Sequence, residues 1–176
     1  MENQNDKNKR FMSIIKDVVY SFWSSINPYL CQTTTPSTMT NIDPSRIAPS
    51  LISTLADGEI FVFGSNAQGM HMGGAARVAM EKFGAEWGNG EGLQGRSYAI
   101  PTMEGLESTA AAVERFTRFA REHGELKLLV TAIGCGIAGY RPEEIAPMFA
   151  EAAQLQNVYL PESFWKVLTD VAQWIR

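Results

Sequence analysis

Apolar positions along the chain keep two periods, one of about 3.6 residues and one of two, and the chain divides where the period changes. Phe11, Ile14, Ile15, Val18, Val19, Phe22, Trp23 and Ile26 recur at helical spacing, with Ser13, Lys16, Asp17, Ser21, Ser24 and Ser25 between them. This predicts an amphipathic helix over 11–26, ended by Asn27-Pro28. The polar residues 1–10 predict a disordered start, and the Thr-, Ser- and Pro-rich run from Cys31 to Ser45 reads as a linker. The boundary falls near residue 45, giving a leader over 1–45 and a folded domain over 46–176.

Within the domain the two periods alternate. A short element over Ile47 to Leu55 precedes a strand over Glu59 to Gly64, and a helix is expected from Gly74 to Phe83. A glycine-rich, loose connection (Gly84, Gly88, Gly90, Gly92, Gly95) leads to a strand over Ser97 to Thr102. The next helix has Ser108 as its expected N-cap and Gly124 as its stop, with Glu114 and Arg118 paired on one face. Leu126 to Ile133 is the most strand-like run of the chain. A helix begun by Pro142 carries Ile145, Met148, Phe149 and Ala152. A short strand over Asn157 to Leu160 and a helix with Phe164, Val167, Leu168, Val171 and Trp174 follow. Four alternations of strand and helix predict an α/β domain with a largely parallel sheet between helices.

Composition changes this picture little. The 176 residues and 45% hydrophobic content suit one domain with an appendage, and a net charge of -4 offers no basic stripe for nucleic acid. Cys31 and Cys135 are the only cysteines, and with His71 and His123 they show no zinc spacing, so neither a disulfide framework nor a metal is expected. No run approaches the length of a membrane span, and no signal-peptide cleavage pattern is present, which makes a reducing cytoplasm the expected compartment. The apolar face of 11–26 is expected to dock on the domain, on a second copy or on a protein partner. Lys16, its only cation, argues against a helix lying on a membrane surface.

Candidate chemistry lies where strands run into glycine. The first such place is Phe63-Gly-Ser-Asn66 followed by Gly69-Met-His-Met-Gly-Gly-Ala-Ala76, and the second is Ile133-Gly-Cys-Gly-Ile-Ala-Gly-Tyr140. Glycine lets a ligand approach main-chain N–H groups, and a following helix adds the positive end of its dipole. Each turn is either a phosphate or nucleotide cradle or a device for tight strand-to-helix packing. Both leave the carboxyl ends of strands, so both are expected at one edge of the sheet, where ligands of such folds bind.

Together with Gly92-Leu-Gln-Gly-Arg-Ser-Tyr-Ala-Ile-Pro-Thr102, these segments resemble a small macro-like family of bacteria and phages, and more distantly the macro domain that binds ADP-ribose. The likeness runs from about residue 58 to the C-terminus and implies a three-layer α/β/α macro-like sheet behind the N-terminal amphipathic helix. It implies a ligand site made of Gly64, Ser65, Asn66, Gly69, His71, Gly73 and Gly74 with Gly134, Cys135, Gly136, Ile137, Ala138, Gly139 and Tyr140. Asn66 would meet the distal ribose, Gly73 and Gly74 would lie beside it, Gly134 to Gly139 would hold the diphosphate, and Tyr140 would wall the cleft. Ala75 and Ala76 stand where macro domains that remove ADP-ribose commonly carry an acid, and Ala138 replaces the usual aromatic of the diphosphate loop.

Binding of ADP-ribose or a related NAD-derived nucleotide, with no cofactor, is the leading expectation. The alternatives are a hydrolase using His71 as acid or base, and an interaction protein on a macro-like scaffold without a small ligand. Cys135 is read as a thiolate beside bound phosphate or as a small packing residue, Glu104 as facing the cleft or solvated, and Trp87, Trp165 and Trp174 as packing residues.

Overall fold

The computed structural model describes residues 44–174. The expectations for the leader, including the helix over 11–26 and Cys31, lie outside the described residues, as does the side chain of Trp174.

Five strands form one mixed sheet: β1 (Glu59–Ser65), β2 (Gly92–Gln94), β3 (Ser97–Pro101), β4 (Lys127–Val130) and β5 (Val158–Tyr159). Their order is β2-β3-β1-β4-β5, with β2 antiparallel to β3 and the remaining pairs parallel. The helices are α1 (Gly74–Lys82), α2 (Leu106–Glu122), α3 (Pro142–Ile145) and α4 (Glu162–Trp174). Successive residues of each strand point to opposite faces, and this sorts the core into two parts. Phe61, Phe63, Ala99 and Leu129 meet Ala76, Ala79 and Phe83 of α1 and its C-cap on one face. Ile60, Val62, Tyr98, Ile100, Leu128 and Val130 meet the apolar sides of α2 and α4 on the other, with Ile145 of α3 and Phe149 beside them. The domain is therefore α/β with helices on both sides of its sheet.

Several boundaries differ from the expected ones for local reasons. Helix α2 starts at Leu106 after Gly105, so Ser108 lies inside its first turn. Asn157 donates to the Ala120 and His123 carbonyls, closing the end of that helix. The helix begun by Pro142 stops after four residues because Pro147 has no N–H to continue the ladder, and 3-10 turns over Ala146–Phe149 and Ala152–Gln154 replace it. Residues 47–55 form no element of their own. Instead Ile47 bridges Leu160 beyond β5, and Arg46 donates to the Ala153 and Leu155 carbonyls while its guanidinium lies over the Trp165 ring. Trp165 is a packing residue as expected, whereas Trp87 is 59% exposed.

Glu59, where β1 begins, accepts from the Ala56 amide at 2.8 Å and from Lys127 Nζ at 2.9 Å. The amide bond first, and Lys127 second, hold its carboxyl below the usual range. A folded value below the unfolded one adds stability above the ordinary carboxylate pKa and loses it as pH falls through the lowered value. Thermal melts from about pH 3 to pH 7 are expected to show this acid limb, and Glu59→Gln is expected to flatten it.

The glycine-rich connection into β3 is bound to the first loop, contrary to the loose connection expected. A Cβ on Gly90 would lie 2.2 Å from the Asn66 carbonyl oxygen, and one on Gly69 would lie 2.3 Å from the Asn89 amide nitrogen. Gly88 donates to the Gly69 carbonyl at 3.0 Å. The two backbones lie against each other at distances that only glycine permits.

Candidate functional site

Strand β1 lies between β3 and β4, and all three end at the same edge of the sheet. From β1 the chain turns to α1 on one face; from β4 it turns to α3 on the other. Neighbouring parallel strands whose continuations part in this way open a crevice beyond their carboxyl ends. The two glycine corners flank it. A Cβ on Gly64 would meet Gly134 N at 3.4 Å and Thr102 Oγ1 at 3.3 Å, and one on Gly73 would lie 3.4 Å from Ile137 Cδ1. The expectation that both corners occupy one edge holds, and Gly73 and Ile137 are where they touch.

The first corner has turned most of its polar groups inward. The Asn66 amide accepts from Met70 N at 3.0 Å and donates to Met70 O at 3.0 Å, closing the loop on itself. Ser65 is buried, its hydroxyl donating to the Asn66 carbonyl. Gly69 donates to the same Asn66 carbonyl. Glu104, from the loop after β3, accepts from Ala67 N at 2.6 Å and from its neighbour Met103 N at 3.1 Å, clipping that loop to the first corner. This tie was not resolved by sequence, where Glu104 is an isolated acid two residues past Thr102.

His71 is 0% exposed. Its ring stands edge-on to Phe63, and Nε2 lies 3.1 Å from the Asn89 carbonyl, which can only accept, so the proton is on Nε2. Nδ1 is buried without a partner. The Asn89 carbonyl also accepts from Gln94 Nε2, and Gln94 Oε1 accepts from Glu86 N, so His71 and Gln94 together bind the glycine-rich connection to the first corner. A fully buried ring makes a poor acid or base for a ligand at the loop mouth, and the geometry of His71 favours bonding and packing within its loop over the alternative of catalysis. His71→Ala is expected to destabilise the domain by about 2–4 kcal/mol, read as a lowered Tm.

The second corner is built differently. Gly139 N donates to Gly136 O and Tyr140 N to Gly134 O, while the amides of Gly136, Ile137 and Ala138 make no hydrogen bond within the described residues. Across the Gly73–Ile137 contact, Gly73 is the N-cap of α1, with no side-chain cap and no acid in the helix's first turn. The Gly74, Ala75 and Ala76 amides there are likewise unpaired. Two sets of N–H donors thus flank one contact, the second carrying the positive end of a nine-residue helix.

Cys135 is a free thiol that packs against the larger core. Burial pushes its pKa up, and the Glu143 and Glu144 carboxylates push it further, so the thiolate reading is replaced by the packing one. Tyr140 sets its ring against Gly134 and the same core. Among the described residues no group of three His, Cys, Asp or Glu side chains is placed to hold a metal, and no helix is long and apolar enough to cross a membrane. Comparison of the chain with protein-family models, with curated proteins and with solved structures finds no match.

Proposed function

We propose that the domain binds ADP-ribose or a related NAD-derived nucleotide, with the diphosphate seated between the Gly136–Ala138 amides and the first turn of α1. The observation that carries this reading is the pair of unpaired donor sets flanking the Gly73–Ile137 contact. Unpaired amides at a helix start favour an anion, and charge-assisted hydrogen bonds are worth about 1.5–3 kcal/mol each. The likeness of the four glycine-containing segments to the macro-like family supports the choice of ADP-ribose among diphosphates.

Asn66 spends one N–H and one lone pair of its amide on Met70, which shapes the loop and leaves one N–H and one lone pair for a ribose. The full burial of His71 weighs against the alternative of hydrolysis through its ring.

Calorimetric titration with ADP-ribose, NAD and inorganic diphosphate tests the reading. Saturable heat with ADP-ribose is expected from the native chain and none from Gly136→Leu. Gly136 is not at positive φ and a Cβ there meets nothing within 4 Å, so the added side chain crowds the loop's exposed side without straining the fold. Absence of heat and of thermal shift with all three compounds would leave a scaffold for protein contacts as the better account.

A further inference from the structure

A second recess opens at the other edge of the sheet, where β1 and β4 begin. Its volume is about 270 Å³, and residues drawn from 45–54 line it together with Glu59, Lys127, Leu129 and Tyr159. Pockets for drug-sized ligands run from about 300 to 1,000 Å³, so the guest of this one is small.

The recess sets one charge of each sign among apolar walls. Glu59 and Lys127 are partners across the β1–β4 pairing, with Lys127 Nζ 2.9 Å from Glu59 Oε1 and 4.6 Å from the centre of the Tyr159 ring. Of the three ammonium N–H groups one goes to that carboxylate, which leaves Lys127 a donor to spare. Glu59 Oε2 takes the Ala56 amide, so each carboxylate oxygen also keeps a lone pair. The walls are Ile47, Ile52, Leu129 and the 82% exposed Leu51. The amides of Leu51 to Thr54 and the hydroxyls of Ser53 and Thr54 make no hydrogen bond within the described residues.

We infer that this recess binds a free α-amino acid with an apolar side chain, its carboxylate on Lys127 and its ammonium on Glu59. A lone anion would gain from Lys127 and be repelled by Glu59 beside it, and a lone cation would meet the reverse. A zwitterion answers both. An α-amino acid carries its two charged groups on one carbon, as the recess presents its own two 2.9 Å apart. The unpaired amides and hydroxyls of 51–54 are further donors for the carboxylate, and the apolar walls suit a side chain with no polar end, since a polar group buried there without a partner is costly. The nucleotide seat lies at the far end of β1, so the two sites are separate.

The test is calorimetry on the full chain with L-leucine, isocaproate and isoamylamine; the second lacks leucine's ammonium and the third its carboxylate. Saturable heat is expected with leucine, and binding about tenfold weaker or more with either analogue. On the protein side, Lys127→Met is expected to weaken leucine by about tenfold and Leu51→Ser by about threefold. Both side chains reach solvent, so neither change is expected to unfold the domain. Either analogue binding as tightly as leucine would overturn the charge pairing and with it the inference. Leucine affinity unchanged in both variants would put its heat elsewhere on the chain and overturn it too, as would no heat with leucine at all.

Discussion

Gly90→Ala is expected to destabilise the domain by about 3 kcal/mol or more and to lower its Tm by about 10 °C. The added Cβ would fall 2.2 Å from the Asn66 carbonyl oxygen and 2.7 Å from that of Ala67. Both are main-chain atoms, so no rotamer change relieves the overlap; the first corner itself must move. Gly90 is not at positive φ, which means the cost is one of space alone. Gly88 provides the contrast. Its φ is +85°, yet a Cβ there meets nothing within 4 Å, so Gly88→Ala carries only the cost of a left-handed backbone, about 1–2 kcal/mol. Parallel melts of the two variants separate the effects. Equal losses would mean that the connection between α1 and β2 does not bear on the first corner as closely as described.

Ile137→Pro is expected to weaken ADP-ribose binding by about tenfold or more while leaving the Tm near that of the native chain. The bond from Gly139 N to Gly136 O makes Ile137 and Ala138 the central residues of a turn. Neither has positive φ, which gives the turn the sense of type I, where proline is favoured at the first central position. The Ile137 amide holds no bond within the described residues, so its removal takes one donor from the ligand and none from the protein. Ile137→Ala is the control, since it keeps the amide and removes the exposed side chain. A proline variant that binds as tightly as the alanine one would move the anion away from this loop.

The extent to which this arrangement is legible in the sequence follows from what a period can encode. Phe61 and Phe63 alternate with Ile60 and Val62, and β1 lies where that alternation lies. In α2, Ala112, Val113, Phe116 and Ala120 keep one face over about two turns, and the helix follows. Strand β2 has three residues, two of them Gly92 and Gln94, and leaves no period to read. Pro147 breaks the ladder after α3, but the apolar spacing of Ile145, Met148, Phe149 and Ala152 continues through it and reads as one helix. Within the site, the sharing of one edge follows from parallel strands and was legible. The burial of His71 was not, because its contacts are to Phe63 and to Asn89, a carbonyl 18 residues away. The inward turn of Asn66 is likewise a property of one loop's closure, and a motif records only the residue type.

The bridge from Ile47 to Leu160, with Ala48 N donating to Leu160 O at 2.9 Å, has a consequence for how copies of this domain meet. Strand β5 has only two residues, and part of the main chain a foreign strand would need there is already taken by the protein's own residues 47 and 48. At this border the sheet resists being lengthened by strands from other molecules, the growth mode that leads to fibrils. A proteolytic cut just after Ala48 would strip that guard away and release Arg46 from Trp165 in the same stroke.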